Sequence, residues 1–90
     1  MLKIVSSNHF KRDLKAALKR NLRLDKLENV VSLLANEEKL PANFRDHSLT
    51  GDYSSFRECH IEPDWLLVYR IESAELELFL FRTGTHSDLF

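Results

Sequence analysis

The sequence predicts an α+β domain in which a helical hairpin packs on a twisted, mainly antiparallel sheet, in the order strand, helix, helix and then three strands. Three observations carry this. Apolar residues recur at helical spacing before Pro41. From Ser55 onward the pattern changes to short runs rich in Leu, Val, Ile, Phe and Tyr. Two short polar breaks divide those runs into a meander. Ninety residues make one domain with a single modest core, spanning residues 1–90.

Each element has its own signal. Lys3-Ile4-Val5 reads as a short first strand, and Ser6-Ser7-Asn8 offers side-chain oxygens to cap a helix. Phe10, Leu14, Ala17 and Leu18 then fall on one side, with Lys11, Arg12, Lys15, Lys19 and Arg20 mostly on the other. A second helix is expected from Asp25, where Asp25 and Glu28 match a capping box, with Leu27, Val30, Val31 and Leu34 as its buried stripe. Pro41 ends it, and residues 40–52 read as an irregular connection carrying His47.

Strands are expected over residues 56–62, 65–72 and 75–82, joined by Pro63-Asp64 and Ser73-Ala74. With two-residue loops, Glu62 faces Trp65 and Glu72 faces Glu75. Simple alternation then places His60, Trp65, Leu67, Tyr69, Leu78, Leu80 and Arg82 on one face, and Cys59, Ile61, Leu66, Val68, Phe79 and Phe81 on the other. The α-carbons of His60 and Arg82 would be roughly 10–12 Å apart, within reach of one phosphate.

Composition narrows the function classes. With 43% apolar and 30% charged residues, the chain is a folded globule rather than a disordered tail. No apolar run approaches the roughly 20 residues that span a bilayer, and the N-terminus lacks the features of a secretory signal. The single cysteine, Cys59, has no internal disulfide partner, so the reducing cytoplasm is the expected location. The net charge of −1 hides an asymmetry of +5 over residues 1–28 and −6 over residues 29–90. The basic part suits a phosphate backbone, an acidic partner segment or simply solvent.

The chemistry lies in three histidines, His47, His60 and His86, each beside a turn or at a strand end. Imidazole both gives and takes a proton near neutral pH. Cys59 and His60 are adjacent, so their side chains point to opposite faces of a strand, and no close pair of metal ligands exists; neither a metal nor a cofactor is expected. No nucleophile elbow is present, Cys59 reads as a small core residue, and Gly51 and Gly84 alone make no nucleotide-binding loop. Metal-free RNA cleavage remains, which needs a base for the ribose 2′-hydroxyl, a cation for the phosphate and an acid for the departing 5′-oxygen. His47, His60, Asp64, Arg82 and His86 supply those groups, with His or Asp as base, His as acid and Arg as clamp. Gly84 permits a backbone geometry that turns the last six residues back over the sheet. Phe90 offers an aromatic face to a base and equally suits packing on its own domain; Trp65 is a second candidate for a base, although Trp65 and Tyr69 suit a core better, and Lys11 and Lys15 offer charge to the backbone.

These residues resemble the YafQ-type mRNA interferase toxins of the RelE/ParE toxin–antitoxin superfamily. The resemblance covers essentially the whole chain. It is strongest in D-H-x-L-x-G (residues 46–51), F-R-E-C-H-I-E-P-D-W-L-L-V-Y (56–69) and R-T-G-T-H-S-D-L-F (82–90). It implies a RelE-like fold and a ribosome-dependent endoribonuclease that cuts mRNA in the A site and inhibits translation. It further implies active-site roles for His47, His60, Asp64 and His86, with His86 as general acid, Arg82 on the phosphate and Phe90 near the substrate. The implied partners are a cognate antitoxin, the 70S ribosome with mRNA, and operator DNA only through the antitoxin; no membrane is involved. Toxins of this type are usually basic, so in this near-neutral chain the RNA contact is expected on the first helix. A non-catalytic ParE-like inhibitor of DNA gyrase is the alternative on the same scaffold, and a plain protein-binding module is a third reading.

Overall fold

The computed structural model describes residues 1–90. Strand β1 (Lys3–Ser6) leads into α1 (Asn8–Lys19) and α2 (Leu24–Ala35), followed by β2 (His47–Ser48), β3 (Arg57–Glu62), β4 (Trp65–Glu72), β5 (Glu77–Gly84) and α3 (His86–Leu89). Single 3-10 turns at Ala42–Phe44 and Gly51–Tyr53 flank β2. The five strands form one sheet in the order β1-β5-β4-β3-β2, with β1 parallel to β5 and the other pairs antiparallel. No helix is long and apolar enough to cross a membrane.

Local signals set most of these elements. Ser7 caps α1 by accepting from the Phe10 N–H at 2.9 Å, and so satisfies one of the free donors of the first turn. Helix α2 departs from expectation. It starts at Leu24 with Arg23 in the cap position and no side-chain cap. The capping box of Asp25 and Glu28 does not form, because the Arg23 guanidinium holds the Asp25 carboxylate through bonds of 2.7 and 3.1 Å. The connection expected over residues 40–52 contains β2, two residues long and visible only through its pairing of His47 with Glu58 and Ser48 with Arg57.

The meander forms with a different register. Glu62 lies opposite Trp65 as expected, but the β4–β5 turn takes four residues, 73–76, and Glu72 faces Glu77. That two-residue shift preserves every facing, because side chains alternate with period two. Two bulges do not preserve it. His60 pairs with Leu66 while Glu62 pairs with Trp65, leaving Ile61 extra; Tyr69 pairs with Leu80 while Val68 pairs with Arg82, leaving Phe81 extra. Cys59 and Ile61 therefore join Trp65, Leu67 and Tyr69 in the main core, whereas His60 aligns with Leu66 and Arg82 with Val68. The expected assignment of His60 and Arg82 to the face of Trp65, Leu67 and Tyr69 is thus corrected. One bulge moves each, so the two still share a face.

The main core lies between the sheet and both helices and includes Phe10, Ala17, Leu27, Val30 and Leu34 against Leu67, Tyr69, Leu78 and Leu80. Trp65 belongs here, only 2% exposed, with its indole N–H donating to the Thr83 hydroxyl at 2.8 Å. Its ring is enclosed in this packing and presents no free face to solvent. On the opposite face Leu66 and Val68 are covered by Leu89 of α3, with Leu49, Phe56 and Phe81 around them. Gly84 makes this return possible. Its φ is +157°, and a Cβ there would lie 3.1 Å from Asp88 side-chain atoms.

Strand β1 pairs with β5 only as far as Leu80. Beyond that point the start of α1 serves the bare edge of β5. The Ser7 N–H donates to the Leu80 carbonyl at 3.0 Å, its hydroxyl donates to the Phe81 carbonyl at 2.6 Å, and the Asp13 carboxylate accepts from the Thr83 N–H at 3.1 Å.

Candidate active site

The register lays His47, Glu58, Val68 and Arg82 in one row across β2, β3, β4 and β5. His47 owes its place to its neighbours. Asp46 accepts from the Tyr69 hydroxyl and from Arg57 at 3.1 and 3.3 Å, and Arg57 also donates to the Ser48 hydroxyl at 2.8 Å. Residues on both sides of His47 are thereby fastened. Burial, reinforced by the bond to Asp46, pushes the Tyr69 phenol well above its ordinary pKa and keeps it a donor. Its own bonds to Asp46 raise the already high pKa of Arg57.

The His47 ring is held from two sides. Nδ1 lies 2.6 Å from the Arg45 carbonyl, which can only accept, so Nδ1 carries the proton of that bond. Nε2 lies 3.5 Å from Glu58 Oε1. The Glu58 side chain is 6% exposed, and its Oε2 is buried with no hydrogen-bond partner in the protein. A buried carboxylate oxygen without a protein partner is costly to hold out of water.

His47 and Glu58 line a cleft of about 340 Å³ together with Tyr53, His86 and Phe90. His86 opens α3, is exposed, and lies 5.4 Å ring to ring from Phe90. Phe90, 51% exposed, meets Tyr53 edge-on at 5.6 Å. Thr85 and Asp88 cap the helix reciprocally at 3.2 and 3.0 Å, and Arg20 of α1 donates to Asp88 at 2.9 Å. The Arg20 bond, followed by the bonds from Thr85, lowers the Asp88 pKa from 3.8 to about 2. Since the folded value is the depressed one, this support is complete above pH 3.8 and is lost as the pH falls towards about 2. A carboxyl titration of Asp88 by NMR is expected to give that low midpoint, and Arg20→Ala to move it back up. A midpoint unchanged by Arg20→Ala would remove the ion pair from the account of α3.

The remaining sequence candidates are distributed around this cleft. Arg82 is bound through Nε and Nη2 to Asp13 at 2.7 and 3.1 Å, a contact that raises its pKa further, and it lines a separate cleft with Asp13, Arg20 and Asp88. His60 lies in an adjoining cleft with Asn43, Arg45 and Glu62, its Nδ1 3.2 Å from the Pro63 carbonyl. Asp64 is exposed in the turn after Pro63, and Lys11 and Lys15 are exposed on α1. The structure thus joins His47 to His86 and Phe90 in one cleft and leaves His60 and Asp64 beside the next, which Arg45 lines while its carbonyl bonds His47. Cys59 is fully buried, and burial pushes its thiol up to about 12. No group of three or more His, Cys, Asp and Glu side chains is arranged to hold a metal ion.

Glu58 and Tyr53 are the site residues that sequence reasoning missed. Glu58 belongs to no motif and is not singled out by strand alternation. A signal was present in the unbroken apolar run Trp65–Leu66–Leu67–Val68–Tyr69, which marks a central strand buried on both faces, so that an acid paired with it is buried as well.

The model of the bacterial toxin of type II toxin–antitoxin system, YafQ, matches residues 2–90. The mRNA interferase toxin YafQ of Escherichia coli K12 is 40% identical over 85 residues, covering 93% of this chain and 90% of that protein. A metal-bound toxin from Helicobacter pylori superposes with a TM-score of 0.95 at 48% identity, with all of both chains covered. YafQ in the E. coli DinJ–YafQ complex superposes with a TM-score of 0.90 at 38% identity, covering 100% of this chain and 99% of that one. Sequence and architecture agree over the whole chain, which belongs to the YafQ family of bacterial toxins of type II toxin–antitoxin systems.

Proposed function

We propose that this toxin is a ribosome-dependent endoribonuclease that cleaves mRNA in the ribosomal A site without a metal of its own, acts in the cytoplasm and is neutralised by a cognate antitoxin. The observation that carries this reading is the His47–Glu58 pair facing the exposed His86 across one cleft. The pair takes the proton of the ribose 2′-hydroxyl, and the 2′-oxygen attacks phosphorus. The bond from phosphorus to the 5′-oxygen breaks, and His86 protonates that leaving oxygen. Arg82 offsets the charge gathering on the phosphate, and Phe90 with Tyr53 offers stacking surfaces to the flanking bases. His60 and Asp64 line the path beyond the scissile phosphate, and Lys11 and Lys15 meet the RNA backbone. The names of the E. coli relatives, an mRNA interferase and a complex with DinJ, support the substrate and the kind of partner.

End mapping of cleaved mRNA tests the chemistry. The upstream fragment is expected to end in a 2′,3′-cyclic phosphate or its 3′-phosphate hydrolysis product, the downstream fragment to begin with a 5′-hydroxyl, and EDTA treatment of the ribosome-free toxin stock to leave the rate unchanged. DNA breaks without mRNA cuts would favour the gyrase-inhibitor reading instead. A strict requirement for a toxin-bound ion would overturn the metal-free mechanism.

A further inference from the structure

We propose that Asp13 of α1 is a positioning residue for cleavage, holding the Arg82 guanidinium by one edge so that the other edge is presented to the scissile phosphate. This rests on the reading above that Arg82 contacts that phosphate. A guanidinium carries five N–H donors in a plane. Asp13 takes Nε on one oxygen and Nη2 on the other, at 2.7 and 3.1 Å, which occupies one edge of the fork. Both N–H groups of Nη1 and the second N–H of Nη2 remain, a pair-forming edge of the kind that binds phosphate oxygens bidentately. Both partners are mostly enclosed, with 25% and 16% of their side chains exposed, so the fork is ordered before substrate arrives.

The placement fits that role. Arg82 stands in the same cross-strand row as His47 and Glu58, and it lines a neighbouring cleft with Asp13, Arg20 and Asp88. It follows the Phe81 bulge, at the part of β5 that β1 no longer covers. A flexible arginine there would lose its rotamer freedom on meeting the phosphate, and Asp13 removes most of that loss in advance.

A purely structural role for Asp13 has to be separated, since it also accepts from the Thr83 N–H at 3.1 Å. Asp13→Asn makes that separation, because the amide oxygen still accepts from Thr83 while the charged two-point hold on Arg82 is lost. Cleavage of mRNA by the full chain on translating ribosomes is measured for Asp13→Asn, Arg82→Ala, Arg82→Lys and the Asp13→Asn/Arg82→Ala double variant. Arg82→Ala is expected to lower kcat by about 100-fold or more, and Asp13→Asn by about 10- to 30-fold with KM little changed. The double variant is expected to be no slower than Arg82→Ala alone. Arg82→Lys keeps a charge for Asp13 but has no second edge, and is expected to resemble Arg82→Ala; it carries the test if Asp13→Asn does not fold. Asp13→Asn at the wild-type rate, or a further loss when it is added to Arg82→Ala, would reduce Asp13 to an edge cap, and Arg82→Lys at the wild-type rate would remove the two-edge argument. Arg82→Ala at the wild-type rate would instead overturn the phosphate role of Arg82 itself.

Discussion

Replacing His86 with alanine is expected to slow mRNA cleavage by roughly 10²- to 10⁴-fold, the usual contribution of a general acid, and to abolish growth arrest on expression. The fold should be untouched. His86 is exposed, its ring meets only that of Phe90, and the cap of α3 is made by Thr85 and Asp88. Leu89, the residue of α3 that packs on Leu66 and Val68, is unaffected. Thermal unfolding is therefore expected at the wild-type midpoint while the cleavage rate collapses. His86→Gln sharpens the assignment, because glutamine keeps polarity and approximate size but transfers no proton. It should be as slow as the alanine variant. Cleavage at an undiminished rate in either variant would take the acid's role away from His86.

The order of elements was legible because its signals are local. The apolar spacing of α1 and α2, the cap at Ser7 and the Pro63-Asp64 turn all lie within a few residues of what they specify. The site was legible only in part of its inventory, since Glu58 and Tyr53 were missed. Its assembly depends on pairings between distant segments and on two bulges that alternation does not foresee. Ile61 and Phe81 each add a residue, so His60 and Arg82 both leave the face first assigned to them and end together on the other. The two-residue strand carrying His47 has no periodicity to read, and only its pairing with β3 brings His47 to Glu58. Trp65 was legible as a core residue, the better of its two readings, and its enclosure agrees with that.

Glu58→Gln is expected to separate activity from stability in opposite directions. The carboxylate is buried against Val68 on one side and His47 on the other, and its Oε2 has no partner in the protein. Keeping such a charge out of water destabilises the fold, and a neutral amide of the same shape relieves part of that, on the order of 1 kcal/mol or more after allowing for its own unpaired N–H. An amide N–H can still donate to His47 Nε2, so the ring stays near its place, but the pair has lost the group that accepts the ribose proton. Cleavage is expected to fall by about 100-fold or more, while the denaturant midpoint holds or rises. Glu58→Ala differs in an instructive way. It removes the charge and also leaves a void beside Val68, so it should lose activity and stability together. The comparison needs only unfolding curves and cleavage rates for the two variants. A glutamine variant that is less stable yet fully active would make Glu58 a structural partner of His47 and move the base elsewhere in the cleft. A glutamine variant that is stable and inactive would show that the buried carboxylate is kept for the reaction, at the expense of the fold.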